Sequence, residues 1–178
     1  MATRASMAAL IARLRLLVND PVGASQIWSD DQLQDWLDGQ RTDVVRAALY
    51  YNWAIVAGAN AVLNYFAETG DWESDAALSD VEGTTLTPGA VNLLTGRWTF
   101  AAHQAPPVYL TGQTYDLYAA AADVLEARAG QLAGAYDFTA DGATYHRSQL
   151  AAGLLAMAKQ YRGRSRPRVI QMVRDDAN

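Results

Sequence analysis

The chain has no cysteine among its 178 residues. That excludes disulfides, thiol catalysis and cysteine-based metal sites, and it suits a reducing compartment. Histidine is nearly absent as well. His103 and His146 lie far apart in sequence, and neither has a spaced acidic or histidine partner. Each therefore reads as a surface or cap residue rather than a metal ligand or a base. No HExxH, GxSxG, GxGxxG or phosphate-loop pattern occurs. No cofactor, no metal and no catalysis is expected. No apolar run of membrane-spanning length occurs either. The nearest, Val44 to Phe66, is broken by Arg46, Asn52, Gly58, Asn60 and Asn64, so no membrane partner is expected. The opening "MATRASMAALIARLRLLVND" has the look of a signal peptide, but Arg13 and Arg15 interrupt its apolar part. An amphipathic helix fits it better.

What is present is unevenly spread. The formal net charge is −5. Residues 159–178 hold six basic and two acidic side chains, a net +4, which leaves −9 on residues 1–158. An acidic body of that kind disfavours tight phosphate binding. The length suits one domain, which at this size buries roughly 70% of its unfolded surface without a covalent staple.

Periodicity divides the chain. Met7, Leu10, Ile11, Leu14, Leu17 and Val18 recur at helical spacing, with Arg13 and Arg15 off that face, and predict a helix from Ala5 to Val18. In "WSDDQLQDWLDGQ", Ser29 and Gln32 form a capping box, Trp28 and Leu33 a hydrophobic staple, and Gly39 a stop. From Thr42 to Gly112 the texture is that of strands. "GRWTFAA" and "PPVYLTG" read as strands, and "LSDVEGTTLTP" as two short ones about a Gly83 turn; "DVVRAALYY" and "AVLNYFA" read as strands of poor alternation, with a helix through either as the alternative. Helical texture returns after Thr114, a candidate N-cap, with Asp116 in the first turn. Tyr118, Ala122, Leu125, Ala129, Leu132 and Tyr136 step by four and three, which makes a seam for another helix. The last helix, from about Tyr145 to Tyr161, offers Leu150, Leu154, Met157 and Tyr161 to that seam. A short turn with Asp141-Gly142 at its tip joins the two, so they should pair antiparallel.

The expected fold class is α+β. A small bundle of about four helices carries a β-rich insertion between its second and third helices and an extended C-terminal arm. The segments are residues 1–41 (N-terminal helices), 42–112 (insertion), 113–162 (helical hairpin) and 163–178 (arm).

Three constellations invite a chemical reading. "DFTADGATYHRS" places Asp137, Thr139, Asp141 and Gly142 as in a calcium loop, but its twelfth position is Ser148 rather than glutamate. A helix-connecting hairpin fits better. Asp71, Glu73, Asp75 and Asp80 crowd together and would allow a paired-carboxylate hydrolase, although a solvated acidic loop is the plainer reading. Trp53, Trp72 and Trp98 would suit a sugar-stacking surface or, more simply, the core of a small sheet.

The tail "RGRSRPRVIQMVRDDAN" is basic and broken by Pro167. Val169, Gln171 and Val173 alternate with Ile170 and Met172, between Arg168 and Arg174. An extended segment with apolar knobs suits strand addition or groove docking on a protein partner. Non-specific nucleic-acid binding and simple terminal disorder are the competing readings. The docking residues are taken as Arg164, Arg166, Arg168, Val169, Ile170, Met172, Val173 and Arg174.

The helix before "WSDDQLQDWLD", the middle with "GDWESD" and "LLTGRWTF", and the stretch "PPVYLTGQTYDLYAAAADVLEARAGQLAGAYDFTADGATYHRSQLAAGLLAMAKQYR" together resemble a known family. It is the head–tail connector (adaptor, or head-completion) proteins of long-tailed bacteriophages. The resemblance covers nearly the whole chain and is strongest from Pro106 to Arg162. It implies a virion structural protein and no enzyme. It also implies a homo-oligomeric ring, usually of twelve copies, beneath the portal protein. That ring extends the channel for genomic DNA without binding it specifically, and it presents a surface to the next neck or tail-completion protein. A C-terminal segment reaching the portal would correspond to Gly163 to Asn178. The insertion is a departure from the smallest family members. Against this stand two other readings: a carbohydrate-binding or hydrolytic module on the tryptophan-rich insertion, and a nucleic-acid-binding protein using the tail.

Overall fold

Each of the predicted helices forms, for reasons that are local except at two ends. The computed structural model describes residues 2–56, 58–133, 138–140, 143–145 and 147–167. Helix α1 (Ala8–Val18) follows a 3-10 turn, Ala5–Met7. Its stripe of Met7, Leu10, Ile11, Leu14 and Val18 is buried. The helix stops at Asn19, which takes the left-handed conformation (φ 52°) that asparagine tolerates. Helix α2 (Asp30–Asp38) starts in the predicted capping box. Gln32 N donates to Ser29 Oγ at 3.2 Å, and Ser29 N donates to Gln32 Oε1 at 2.9 Å. Trp28 and Leu33 both sit in the helical core.

Arg15 departs from the expectation of an outward position: it is only 5% exposed. Its guanidinium donates to Asp20 Oδ2 (2.9 Å), Asp30 Oδ1 (2.6 Å) and Trp28 O (2.8 Å). Asp20, itself buried, accepts from Ile27 N and Trp28 N. A buried charge is tolerable only when paired and hydrogen-bonded in this way. The pair ties the α1–α2 loop to the helix before it.

Eight strands follow. They are β1 (Arg41–Ala48), β2 (Tyr50–Val56), β3 (Ala59–Phe66), β4 (Ala77–Ser79), β5 (Thr85–Leu86), β6 (Ala90–Asn92), β7 (Arg97–Thr99) and β8 (Tyr109–Tyr115). They make two four-stranded antiparallel sheets, in the orders β1-β8-β4-β5 and β2-β3-β7-β6. The stretch read as one strand, Asp43 to Tyr51, is two. The break is at Leu49, which is buried and donates its N–H to Val108 O at 2.9 Å. There the chain leaves one sheet and enters the other. Leu49, Val62, Tyr65, Trp72, Leu78, Trp98, Phe100, Val108 and Leu110 form the core of this region.

Thr114 is not the N-cap of the next helix. It belongs to β8, which runs further than Gly112, and Asp116 caps instead: Ala119 N donates to Asp116 Oδ1 at 2.9 Å. Helix α3 (Leu117–Ala133) leads through a hairpin of β9 (Phe138–Ala140) and β10 (Ala143–Tyr145) to α4 (Arg147–Arg162). The rings of Tyr118 and Tyr161 lie 5.7 Å apart, so the start of α3 is beside the end of α4 and the pair is antiparallel.

The seam itself differs by one residue on α4. Ala122, Leu125, Ala129 and Leu154 are buried as expected, and Tyr118, Leu132 and Tyr161 are half-buried. Leu150 and Met157, however, are 49% and 39% exposed, and Ala151 and Ala158 take their places. Tyr136 lies outside the described residues. A face built on alanine lets the two helices approach closely, which the larger side chains would prevent. Replacing Leu154 with alanine should therefore cost about 3 kcal/mol in urea unfolding, whereas Met157→Ala and Leu150→Ala should each change it by less than about 0.5 kcal/mol.

Candidate functional site

The four helices share one apolar core and the two sheets share another. Two of the carboxylates singled out in the sequence, Asp71 and Glu73, lie where these cores adjoin. Glu73 is 1% exposed. Its carboxylate accepts from Ser6 Oγ, from Arg4 Nε at 3.2 Å and from Tyr115 OH at 2.5 Å. Arg4 also holds Asp38 with two donors, at 2.6 and 2.9 Å. Burial pushes the pKa of Glu73 up, but the hydrogen bonds from Ser6, Tyr115 and Arg4 outweigh it and hold the carboxyl below its usual range. Burial, then the bond to Glu73, pushes the Tyr115 phenol up.

Asp71 does related work a few ångströms along the chain. It has a left-handed backbone (φ 58°). Its carboxylate meets Arg13 of α1 and lies 3.9 Å from Arg166. Burial raises its pKa despite both guanidiniums. Asp80 has a third role: its Oδ1 accepts from Glu82 N and Thr84 N and shapes the β4–β5 turn. Asp71, Glu73 and Asp80 therefore serve separate structural tasks, and Asp75 is exposed. Trp72 and Trp98 pack edge to face, with ring centroids 6.2 Å apart, and both are buried, so neither offers a face to a sugar. Trp53 is exposed and stacks on His103, whose Nδ1 accepts from Val62 N at 2.9 Å. Among the described residues no group of histidines and carboxylates could hold a metal, and no helix is long and apolar enough to cross a membrane. His146 and the calcium-loop positions Asp137, Asp141 and Gly142 lie outside the described residues.

The basic tail begins in a way its composition does not announce. Arg162 bonds Asp123 and Glu126 of α3. Arg164 lies over the Tyr118 ring, 6.0 Å from its centroid. Arg166 donates its backbone N–H to Asp116 Oδ2 at 2.6 Å, and its guanidinium to Thr114 Oγ1 at 3.0 Å and to Gly70 O at 2.8 Å. The carboxylate of Asp116 thus caps α3 with one oxygen and holds the arm's root with the other. Arg164 and Arg166 were expected to meet acidic groups on a partner. Within this chain Arg166 is held by Asp116, Thr114 and Gly70, and Arg164 lies against the Tyr118 ring. The other docking residues, Arg168, Val169, Ile170, Met172, Val173 and Arg174, lie outside the described residues.

Beside the root lies a cleft of about 690 Å³ between the two sheets. Leu49, Trp72 and Leu110 supply buried apolar lining, and Arg41, Glu68 and Arg166 supply charge. Asp116, Thr114 and Gly70 were not foreseen as holders of the arm. A basic tail on an acidic chain was the available signal, but the choice of acceptors depends on β8, the Gly70 loop and α3 converging. No protein-family model matches this chain, and no curated protein or solved structure matches it significantly.

Two measurements test the junction. Folding lowers the Glu73 pKa from about 4.5, so the ionised form is favoured in the folded state. That stabilisation is complete above the ordinary value and is lost as pH falls through the depressed one. Glu73→Gln should cost about 2 kcal/mol near neutral pH, and the gap to the wild type in urea midpoints should narrow steadily as pH is lowered below about 4.5. Arg166→Ala should speed tryptic cleavage after Arg162 and Arg164 several-fold while changing global stability by only about 1 kcal/mol.

Proposed function

We propose that this chain is a virion structural protein: a ring-forming head–tail adaptor that joins the portal to the neck or tail and extends the DNA channel. In this reading the four helices are the bundle, the strands from Arg41 to Tyr115 are its insertion, and the segment after Pro167 is the arm that docks on the portal. The observation that carries the reading is the anchored root. A docking arm transmits force and position only if it leaves the body at a defined point, and Arg166 is held there by Asp116, Thr114 and Gly70. Val169, Ile170, Met172 and Val173 then supply the apolar knobs, with Arg168 and Arg174 for acidic groups on the portal.

Two further features support it. An acidic body suits a channel through which DNA must slide without being gripped. A ring also presents many arms at once, so each contact can be weak. The tail as a nucleic-acid binder is less well supported, since Arg162, Arg164 and Arg166 are already engaged by the body. Electron microscopy of the purified protein mixed with its portal tests the proposal: rings seated on the portal are expected, and failure to form or join any ring overturns it. Deleting residues 168–178 should leave the thermal unfolding of the body unchanged and abolish attachment to the particle.

A further inference from the structure

The longest charge-free stretch of the chain runs from Ala47 to Ala67, and another runs from Gly83 to Gly96. The first contains β2 and the second contains β6, and these are the two edges of the sheet β2-β3-β7-β6. β2 is an edge strand of seven residues, with Tyr50, Trp53 and Ile55 exposed by 64%, 60% and 79%. The bulge in its ladder falls on β3, at Leu63, so β2 itself runs unbroken. Its outward N–H and C=O groups have no backbone partner among the described residues. At the opposite edge, β6 exposes Val91, and the turn after it exposes Leu94.

Native proteins blunt such edges with charge, bulges or cover. β1, the corresponding edge of the other sheet, follows that rule. It carries Arg41, Asp43 and Arg46, is broken by an irregularity between Val44 and Ala47, and has Arg46 in a left-handed conformation (φ 50°). β2 has none of these devices. A long, uncharged, aromatic edge is an interface by physical default, and the question is what covers it.

We infer that the occupant is a second copy of this chain, with the β2 edge of one copy pairing along the β6 edge of the next. Electrostatics favours this choice. The chain is net acidic, so two copies repel unless they meet through surfaces free of charge, and these two edges are such surfaces. They are also different from each other and lie at opposite sides of one sheet, so the contact is head to tail. Contacts of that kind close into rings or continue as filaments. β6 is only three residues long, so each junction is small and its persistence depends on closure. For that closure the inference rests on the adaptor reading. The pairing itself does not.

The absence of cysteine makes a clean test possible. Ile55→Cys and Val91→Cys are prepared as separate full-length variants, mixed and treated with a short bis-maleimide. Cross-linked dimer is expected in the mixture and not in either variant alone, and the double variant should give a ladder of higher oligomers. Adding Trp53→Lys to the chain that carries Ile55→Cys should abolish its cross-linking to the Val91→Cys variant, whereas adding it to the chain that carries Val91→Cys should leave that cross-link in place. Dimer from Ile55→Cys alone would mean a two-fold β2–β2 contact and would overturn the inference. So would an unreactive mixture, or binding of β2 to uncharged lipid vesicles by a chain that stays monomeric. The two proposals fail separately. Rings on the portal without the Ile55–Val91 cross-link retain the adaptor and remove edge pairing. Cross-linked chains that never join a portal do the reverse.

Discussion

The structure depends on one buried carboxylate. Glu73 lies between the helical core and the sheet core, nearly out of reach of water. Ser6 and Arg4 reach it from the chain's first turn, and Tyr115 reaches it from the last residue of β8. Arg4 carries the connection on to Asp38 at the end of α2. A buried charge without partners is strongly destabilising, so Glu73 favours the arrangement in which these segments meet. Glu73 thus links the helical core to the sheet core through its hydrogen bonds.

A second charged junction, at Asp71, continues the same seam. Arg13 reaches it from α1 and Arg166 from the tail. Thr114 donates to Gly70 O at 2.6 Å, the same oxygen that Arg166 uses. The segregation of charge along the chain, acidic before residue 159 and basic after it, is thereby partly resolved within the molecule. In the readings proposed above, a partner would meet the alternating apolar residues that follow Pro167 in the sequence and the uncharged edges of one sheet. Both favour association through the hydrophobic effect and backbone pairing over association through charge.

Local features were legible in proportion to how local they are. The capping box at Ser29 and Gln32 involves residues three apart, and it forms as read. The turn at Gly83 (φ 89°) likewise needs nothing beyond its own backbone. The N-cap of α3 lies two residues beyond Thr114, at Asp116, because Thr114 has a cap-forming side chain but is claimed by β8. On α4 the apolar count pointed to Leu150 and Met157, whereas close helix approach selects Ala151 and Ala158. Arg15 was read as outward because it is charged, and the aspartates that make its burial tolerable come from the loop and helix beyond.

By itself the sequence determined the helices and part of the strands, the absence of thiol chemistry, the acidic body and the basic tail. Each of these follows from composition, short-range periodicity or capping, which act within a few residues. Only the tertiary structure decided that the acidic cluster is divided among separate structural tasks, that Trp72 and Trp98 are core, and that the tail's first arginines belong to its own body. It also decided that β2 and β6 are the two open edges of one sheet. Those facts depend on which distant segments are brought together, and burial and pairing between residues far apart in the chain leave no periodic trace in it.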